Sequence, residues 1–108
     1  MENLHASHRE RMRQRLLEHG AEAMHDHEIL EMLLYYAIPR GDTNPIAHRL
    51  INAFGSLTGV LEAAPEDLVK IEGVGDRSAS LIKLITPISK RYLKYLFARQ
   101  LLPLNCQA

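Results

Sequence analysis

A Gly-x-Gly turn between apolar residues and a helix-forming stretch is the feature that most constrains this chain. Gly73 and Gly75 follow the apolar Val69 and Ile71, and helix-forming residues begin at about Asp76. Glycine adopts backbone angles that a Cβ atom blocks, and it lets another molecule approach the main chain. Because the first amides of a helix lack acceptors within it, the pattern predicts a phosphate site. A tight inter-helix turn that merely saves space is the other interpretation.

The charges of the chain are unevenly distributed. The 108 residues carry 13 basic and 13 acidic side chains, so the formal net charge is zero. No Asp or Glu follows Arg77, whereas that final stretch holds six Lys and Arg residues. Salt screens charges beyond about 8–10 Å, so local charge governs attraction to a polyanion. A cationic segment that opens with a helix start favours nucleic-acid binding. A solvated basic face, or a surface covered by another domain, is the alternative.

Composition predicts one small soluble domain. The chain is 46% hydrophobic and contains no Trp, so Ile and Leu must form most of its core. Its one cysteine, Cys106, cannot form an intrachain disulfide, which fits a reducing cytoplasm. The N-terminus lacks a signal-peptide-like apolar run, and no stretch approaches the ~20 apolar residues that span a bilayer. We therefore expect a cytoplasmic location and no membrane partner.

Helical periodicity dominates the sequence and predicts an all-α domain of five to six helices. Ser7 is expected to cap the first helix and Asp26 the second, with Gly20 and Gly55 ending the first and third. Pro87 predicts a break or a kink near Thr86. The predicted helical stretches are residues 7–18 and 26–37, then a stretch that Thr43 or Asn44 caps and that ends at 54, then the short link 57–63. A stretch that begins at 65 follows, and the last two are residues 76–86 and 88–99.

The order of these helices suggests an internal repeat. The helix–turn–helix at 26–54 is echoed by a second at about 65–86. The first turn, residues 39–43, lacks the Gly-x-Gly of the second, so we expect copy one mainly to complete the core. Arg40 in that turn remains a candidate for a phosphate contact through its side chain.

Two other clusters contain candidate binding residues. The first helix carries Arg9, Arg11, Arg13 and Arg15. Contacts with phosphates and salt bridges to nearby carboxylates are equally consistent with these four arginines. The segment 25–28 contains His-x-His, but i and i+2 side chains on a helix point apart and make poor metal ligands. The sequence shows no paired carboxylates, nucleophile elbow, P-loop or zinc spacing, so we expect no enzymatic activity from this fragment.

Two levels of resemblance follow from these motifs. The pattern L-x-x-I-x-G-V-G-x-x-x-A at 68–79 resembles the helix-hairpin-helix DNA-binding motif. The whole stretch from 8 to 95 looks like the N-terminal domain of RadC-like proteins, a bacterial family labelled as related to DNA repair. The resemblance rests on five segments in order, His8–Arg13, Glu28–Arg40, Ala47–Leu50, Phe54–Leu57 and Ile71–Gly75.

The resemblance implies a paired helix-hairpin-helix (SAM/HhH-like) domain with a degenerate first copy over residues 1–100. Family members carry a second domain of the JAB/MPN metalloprotease type, with the motifs H-x-H-P and S-x-x-D. Neither motif occurs here, so residues 101–108 are expected to be a tail or a severed linker to that absent domain.

The expected function is sequence-independent DNA binding through backbone phosphates. The turn amides would hold one phosphate and nearby cations would reach its neighbours, so the candidate contacts are Gly73, Val74, Gly75, Arg77, Ser78, Lys83 and Arg40. The helix-hairpin-helix resemblance adds that the carbonyls of Val69, Ile71 and Val74 hold a monovalent cation, K⁺ or Na⁺; no other cofactor is expected. The alternative is a protein-interaction or regulatory module that packs on the metalloprotease-type domain or on another protein.

Overall fold

The computed structural model describes residues 4–101, and within that range it confirms the all-α prediction. These residues form six helices and no strand. The helices are α1 (Leu4–His19), α2 (Asp26–Tyr35), α3 (Asn44–Phe54), α4 (Leu57–Glu62), α5 (Pro65–Leu68) and α6 (Asp76–Leu101). None of the described helices is both long and apolar enough to cross a membrane.

The main core forms where α2 and α3 pack together under the first half of α6. Its side chains are aliphatic and fully or almost fully buried: Leu30, Leu34, Ala47, Leu50, Val60, Leu68, Val74, Ala79 and Ile82. A smaller cluster joins α1 to the outer side of α2 through Met12, Met24, Met32 and Tyr35. Helix α2 contributes to both clusters and is thus the central buried helix, although Tyr36 just after it is 68% exposed.

Two glycines end helices as expected. Gly20 and Gly55 have positive φ angles of 78° and 90°, and their amides donate to Leu16 O and Ile51 O. Glycine is favoured at such helix ends because a Cβ atom disfavours the left-handed conformation.

Two predicted N-caps are wrong. Ser7 lies inside α1, which already includes Leu4. The N-cap of α2 is His25 rather than Asp26, and the His25 amide donates to the Glu28 carboxylate at 2.9 Å. That bond lowers the pKa of Glu28. The carboxylate three residues on thus satisfies the cap backbone, so an acidic residue at the cap position is not required.

Thr43 takes the N-cap position of α3, but its hydroxyl serves another purpose. The Thr43 hydroxyl is buried and donates to the backbone carbonyl of Glu31 at 3.0 Å. The Asp42 carboxylate instead accepts the amide of Asn44 at 3.0 Å. The threonine therefore ties α3 to α2, while the preceding aspartate satisfies the helix start.

The Glu31 side chain is the centre of a buried polar network between α1, α2 and α3. Its carboxylate accepts hydrogen bonds from Tyr35 Oη at 3.2 Å and Asn44 Nδ2 at 3.3 Å, and it contacts His8 Nε2 at 3.1 Å. Burial, together with the Glu31 charge, raises the pKa of Tyr35. A buried carboxylate is tolerated only when donors surround it, and these three groups provide them.

The last helix does not break where the sequence predicted. Helix α6 runs continuously from Asp76 to Leu101, with Pro87 inside it. Pro87 is exposed, so the carbonyl four residues earlier, which loses its amide donor, can bond to water. Thr86 and Lys83 also fasten this part of α6 to the body, because both side chains donate to Leu61 O.

The polar network should contribute measurably to stability. Glu31→Ala would leave the buried Tyr35 hydroxyl without its acceptor, and we expect a loss of about 2–3 kcal/mol in the free energy of unfolding. Urea denaturation measures this, with the exposed Glu62→Ala as the matched control that should change stability little. Equal effects of the two variants would contradict the assigned role of Glu31.

Candidate nucleic-acid interface

The hairpin, residues 69–75, is a short turn held in place by one buried side chain. Val69 N–H donates to Pro65 O, Ile71 N–H to Leu68 O, and Val74 N–H to Ile71 O at 3.0 Å. The Val74 side chain is only 5% exposed and belongs to the main core. The two flanking glycines, Gly73 and Gly75, are both exposed.

Gly73 is required by the fold itself. Its φ angle is +94°, a conformation that side-chain-bearing residues rarely adopt. A Cβ atom at this position would also lie 2.8 Å from Cγ1 of Ile46 in α3. The space-saving interpretation of the turn is therefore sufficient to explain Gly73.

Gly75 has neither requirement. Its φ angle is not positive, and a Cβ atom built there meets nothing within 4 Å. Gly75 immediately precedes α6, and its carbonyl accepts the amide of Ala79 at 3.0 Å, which places it at the N-cap. The amides between these two residues are those that a helix leaves without internal acceptors. A glycine here keeps the approach to those amides open.

The predicted side-chain contacts are not all equally placed. Arg77 is exposed at the start of α6, whereas the Ser78 side chain is only 2% exposed, so Ser78 can offer only its backbone. Lys83 is half-buried, and its Nζ donates to Leu61 O at 2.8 Å, which holds it against α4. The Lys83 side chain is therefore engaged within the domain and is not placed to contact a phosphate.

The first turn approaches the start of α6 through Pro39, the neighbour of Arg40. Arg40 is exposed, and the adjacent Pro39 lines an open groove of about 630 Å³ together with Asp76 and Arg77. The fold thus brings the first turn next to the start of α6, although the two are far apart in the chain.

One of the three carbonyls expected to hold a monovalent cation is engaged in a hydrogen bond. Ile71 O already accepts the Val74 amide, but a carbonyl oxygen has a second lone pair. Oxygen donors suit hard cations such as K⁺ and Na⁺. Within residues 4–101, no group of three His, Cys, Asp or Glu side chains is placed to hold a metal ion.

Sequence reasoning missed the role of Arg49. Its NH1 donates to Glu72 O in the hairpin at 3.0 Å and lies beside Gly73. Arg49 and Ile46 are three residues apart in α3, so both can reach the hairpin from one face of that helix. Only this spacing hinted at the contact, and nothing in the sequence placed α3 beneath the turn.

The charges close to the hairpin are mixed. Lys70 is paired with Asp67 at 3.4 Å, and Arg49 is bonded to a carbonyl. Carboxylates also lie near the turn at Glu66, Glu72 and Asp76. The surface around the hairpin is therefore not strongly positive. An anion at this surface would meet backbone amides and the Arg77 side chain.

Fold and turn together define a small all-α domain whose last helix begins at an open glycine cap. The chain belongs to the UPF0758 family, because the family model described as UPF0758 N-terminal matches residues 4–80. A UPF0758 protein of Rhodobacter capsulatus is 42% identical over 80 residues, covering 74% of this chain and 37% of that protein. The UPF0758 protein FN0909 of Fusobacterium nucleatum subsp. nucleatum is 45% identical over 78 residues, covering 72% and 34%.

The chain spans only part of the length of the two relatives. The matched stretches span about a third of each relative, 37% and 34%. No solved structure matches the chain.

The two glycines should differ in their effect on stability. Gly73→Ala introduces the contact with Ile46 in a left-handed backbone, and we expect a loss of roughly 1–3 kcal/mol. Gly75→Ala should cost less than about 1 kcal/mol, which is the preference for glycine over alanine at an N-cap. Urea denaturation of both variants measures the difference, and equal losses would show that Gly75 is also needed by the fold.

Proposed function

We propose that this domain binds DNA without sequence preference, by holding a backbone phosphate at the start of α6. Gly75 carries the proposal, since neither its backbone conformation nor its packing requires a glycine. A residue without a side chain at a helix N-cap leaves room for a phosphate to reach the amides behind it.

The proposed contact uses the backbone more than side chains. The amides from Gly75 to Ser78 would hold one phosphate, and the exposed Arg77 and Arg40 would reach neighbouring phosphates. Val74 fixes the turn from the core, and Gly73 gives it its shape. A K⁺ or Na⁺ ion at the carbonyls of residues 69, 71 and 74 would offset part of the charge of the phosphate.

Contacts of this kind position a protein on DNA but carry little base information. Binding should therefore be weak and steeply dependent on salt. This agrees with the proposal that the domain is the N-terminal helix-hairpin-helix module of a RadC-like protein. The fragment itself would bind and not catalyse, and a metalloprotease-type domain elsewhere in a longer protein would perform any chemistry.

Gly75→Asp separates phosphate binding from folding. Aspartate is a better N-cap than glycine, so the melting temperature should stay equal or rise. Its carboxylate would occupy the phosphate position, and a lost charged hydrogen bond predicts at least about tenfold weaker binding to duplex DNA. Fluorescence anisotropy with labelled duplexes measures the dissociation constant.

The control is Gln14→Glu, which adds the same charge at an exposed position of α1. It should leave DNA affinity nearly unchanged. If the wild type does not bind duplex DNA at tens of micromolar in low salt, the proposal fails, since non-specific binders reach about 10⁻⁴–10⁻⁶ M at physiological salt.

A second candidate function, protein interaction, is favoured by one specific observation. From Leu84 onward, α6 exposes large apolar side chains over half or more of their surface. They are Leu84, Ile88, Tyr92, Leu93, Tyr95 and Phe97. Leu84, Ile88, Tyr92 and Tyr95 fall within an arc of about 80°, and an exposed apolar surface of this kind is typical of a binding surface. We propose that the remaining part of a longer UPF0758 protein, or another protein, packs against it.

This candidate is testable with the Fusobacterium relative, whose matched stretch is 34% of its length. The rest of that protein, purified separately, should bind this chain in isothermal titration. Ile88→Asp should weaken binding more than tenfold, as expected for a central apolar contact. Asn52→Asp, an exposed change on α3, is the matched control. Equal binding by both variants would exclude this side of α6 as the contact.

A further inference from the structure

The cationic side chains of α6 differ in whether they contact other groups of the domain. Lys83 donates to Leu61 O, and the guanidinium of Arg99 lies 5.5 Å from the centre of the Tyr95 ring. The remaining four are exposed, and no carboxylate follows them in the chain: Arg77, Lys90, Arg91 and Lys94. None of these four takes part in an ion pair among the described residues.

The arginines of α1 give the opposite picture. Arg13 pairs with Glu10 at 2.9 Å, and Arg15 lies 3.6 Å from Glu28. Arg9 is buried, with its guanidinium 4.6 Å from the centre of the Tyr35 ring. Of the two functions left open for α1, salt bridging thus accounts for Arg13 and Arg15. Arg11 is exposed and in no ion pair among the described residues, whereas α6 carries four such cations.

The free cations share one side of the helix. At about 100° per residue, Lys90, Arg91 and Lys94 fall within an arc of about 100°, which we call the basic side of α6. The same arc also contains Asp76, Ser80, Lys83, Pro87 and Ala98, and Arg77 lies about 40° outside it near the hairpin, at the same angle as Tyr95. From Arg77 to Lys94 the helix rises about 26 Å.

We infer that the basic side of α6 is a second part of the nucleic-acid interface, which continues the hairpin contact along the backbone of duplex DNA. The inference rests on the DNA binding proposed above and extends its footprint. A rise of about 26 Å corresponds to about eight base pairs at 3.4 Å each.

The salt dependence of binding tests the inference quantitatively. Each phosphate neutralised on duplex DNA contributes about 0.9 to the slope of log affinity against log salt. The triple variant Lys90→Gln, Arg91→Gln, Lys94→Gln removes three of these cations while keeping good helix formers. We expect its slope to be smaller by about 2–3, and duplexes of about six base pairs to bind wild type more weakly than those of twelve.

The matched control is the triple variant Arg11→Gln, Arg13→Gln, Arg15→Gln on α1, which removes the same net charge. Its slope should change by less than about 1, because two of these arginines already pair with carboxylates. Circular dichroism verifies that both triple variants keep the helical content of the wild type. Equal slopes for the two triple variants would overturn the inference, since only total charge would then matter.

The outcomes also separate the inference from the hairpin proposal. If Gly75→Asp weakens binding while the α6 triple variant keeps the wild-type slope, the basic side is excluded and the hairpin site stands. If the triple variant lowers the slope while Gly75→Asp has no effect, the basic side is supported and the hairpin site fails. Absence of duplex binding by the wild type overturns both.

Discussion

The packing of the hairpin on α3 is the constraint on which the candidate interface depends. Gly73 lies directly over Ile46, and Arg49 donates to the carbonyl of Glu72 from the same helix. On the other side of the turn, Val74 enters the main core. With a valine held inside and a glycine held against α3, the chain can leave the turn in one direction only. The position and direction of α6 follow from these contacts.

The direction of α6 divides its surface into parts with different environments. Ala79 and Ile82 complete the core, and Lys83 and Thr86 are fastened to Leu61 O. Beyond these anchors the helix continues through Pro87 without body contacts sufficient to bury its apolar residues. One helix thereby presents both cationic and apolar side chains, which suit partners of different chemistry. DNA binding and protein interaction are therefore compatible functions of the same element.

Local patterns explain which parts of the fold were predictable. Helix positions followed from apolar spacing, and Gly20 and Gly55 ended helices because only glycine reaches the left-handed conformation without strain. The wrong N-cap predictions arose where a helix began earlier or another residue satisfied its first backbone group. Ser7 and Asp26 have the chemistry of N-caps, yet α1 begins earlier and the Glu28 carboxylate satisfies the start of α2. Pro87 was expected to break or kink a helix, and α6 continues through it.

The sequence by itself determined an all-α chain, the glycine turn before its last helix and the run of cations without carboxylates. These are properties of neighbouring residues, so spacing alone reveals them. Only the tertiary structure decided that Gly73 serves the fold while Gly75 does not, because that depends on Ile46, far away in the chain. It likewise decided that Lys83 is engaged and that Lys90, Arg91 and Lys94 are free. A side chain can contact a binding partner only when it is not already engaged within the folded domain. Whether it is engaged depends on long-range contacts.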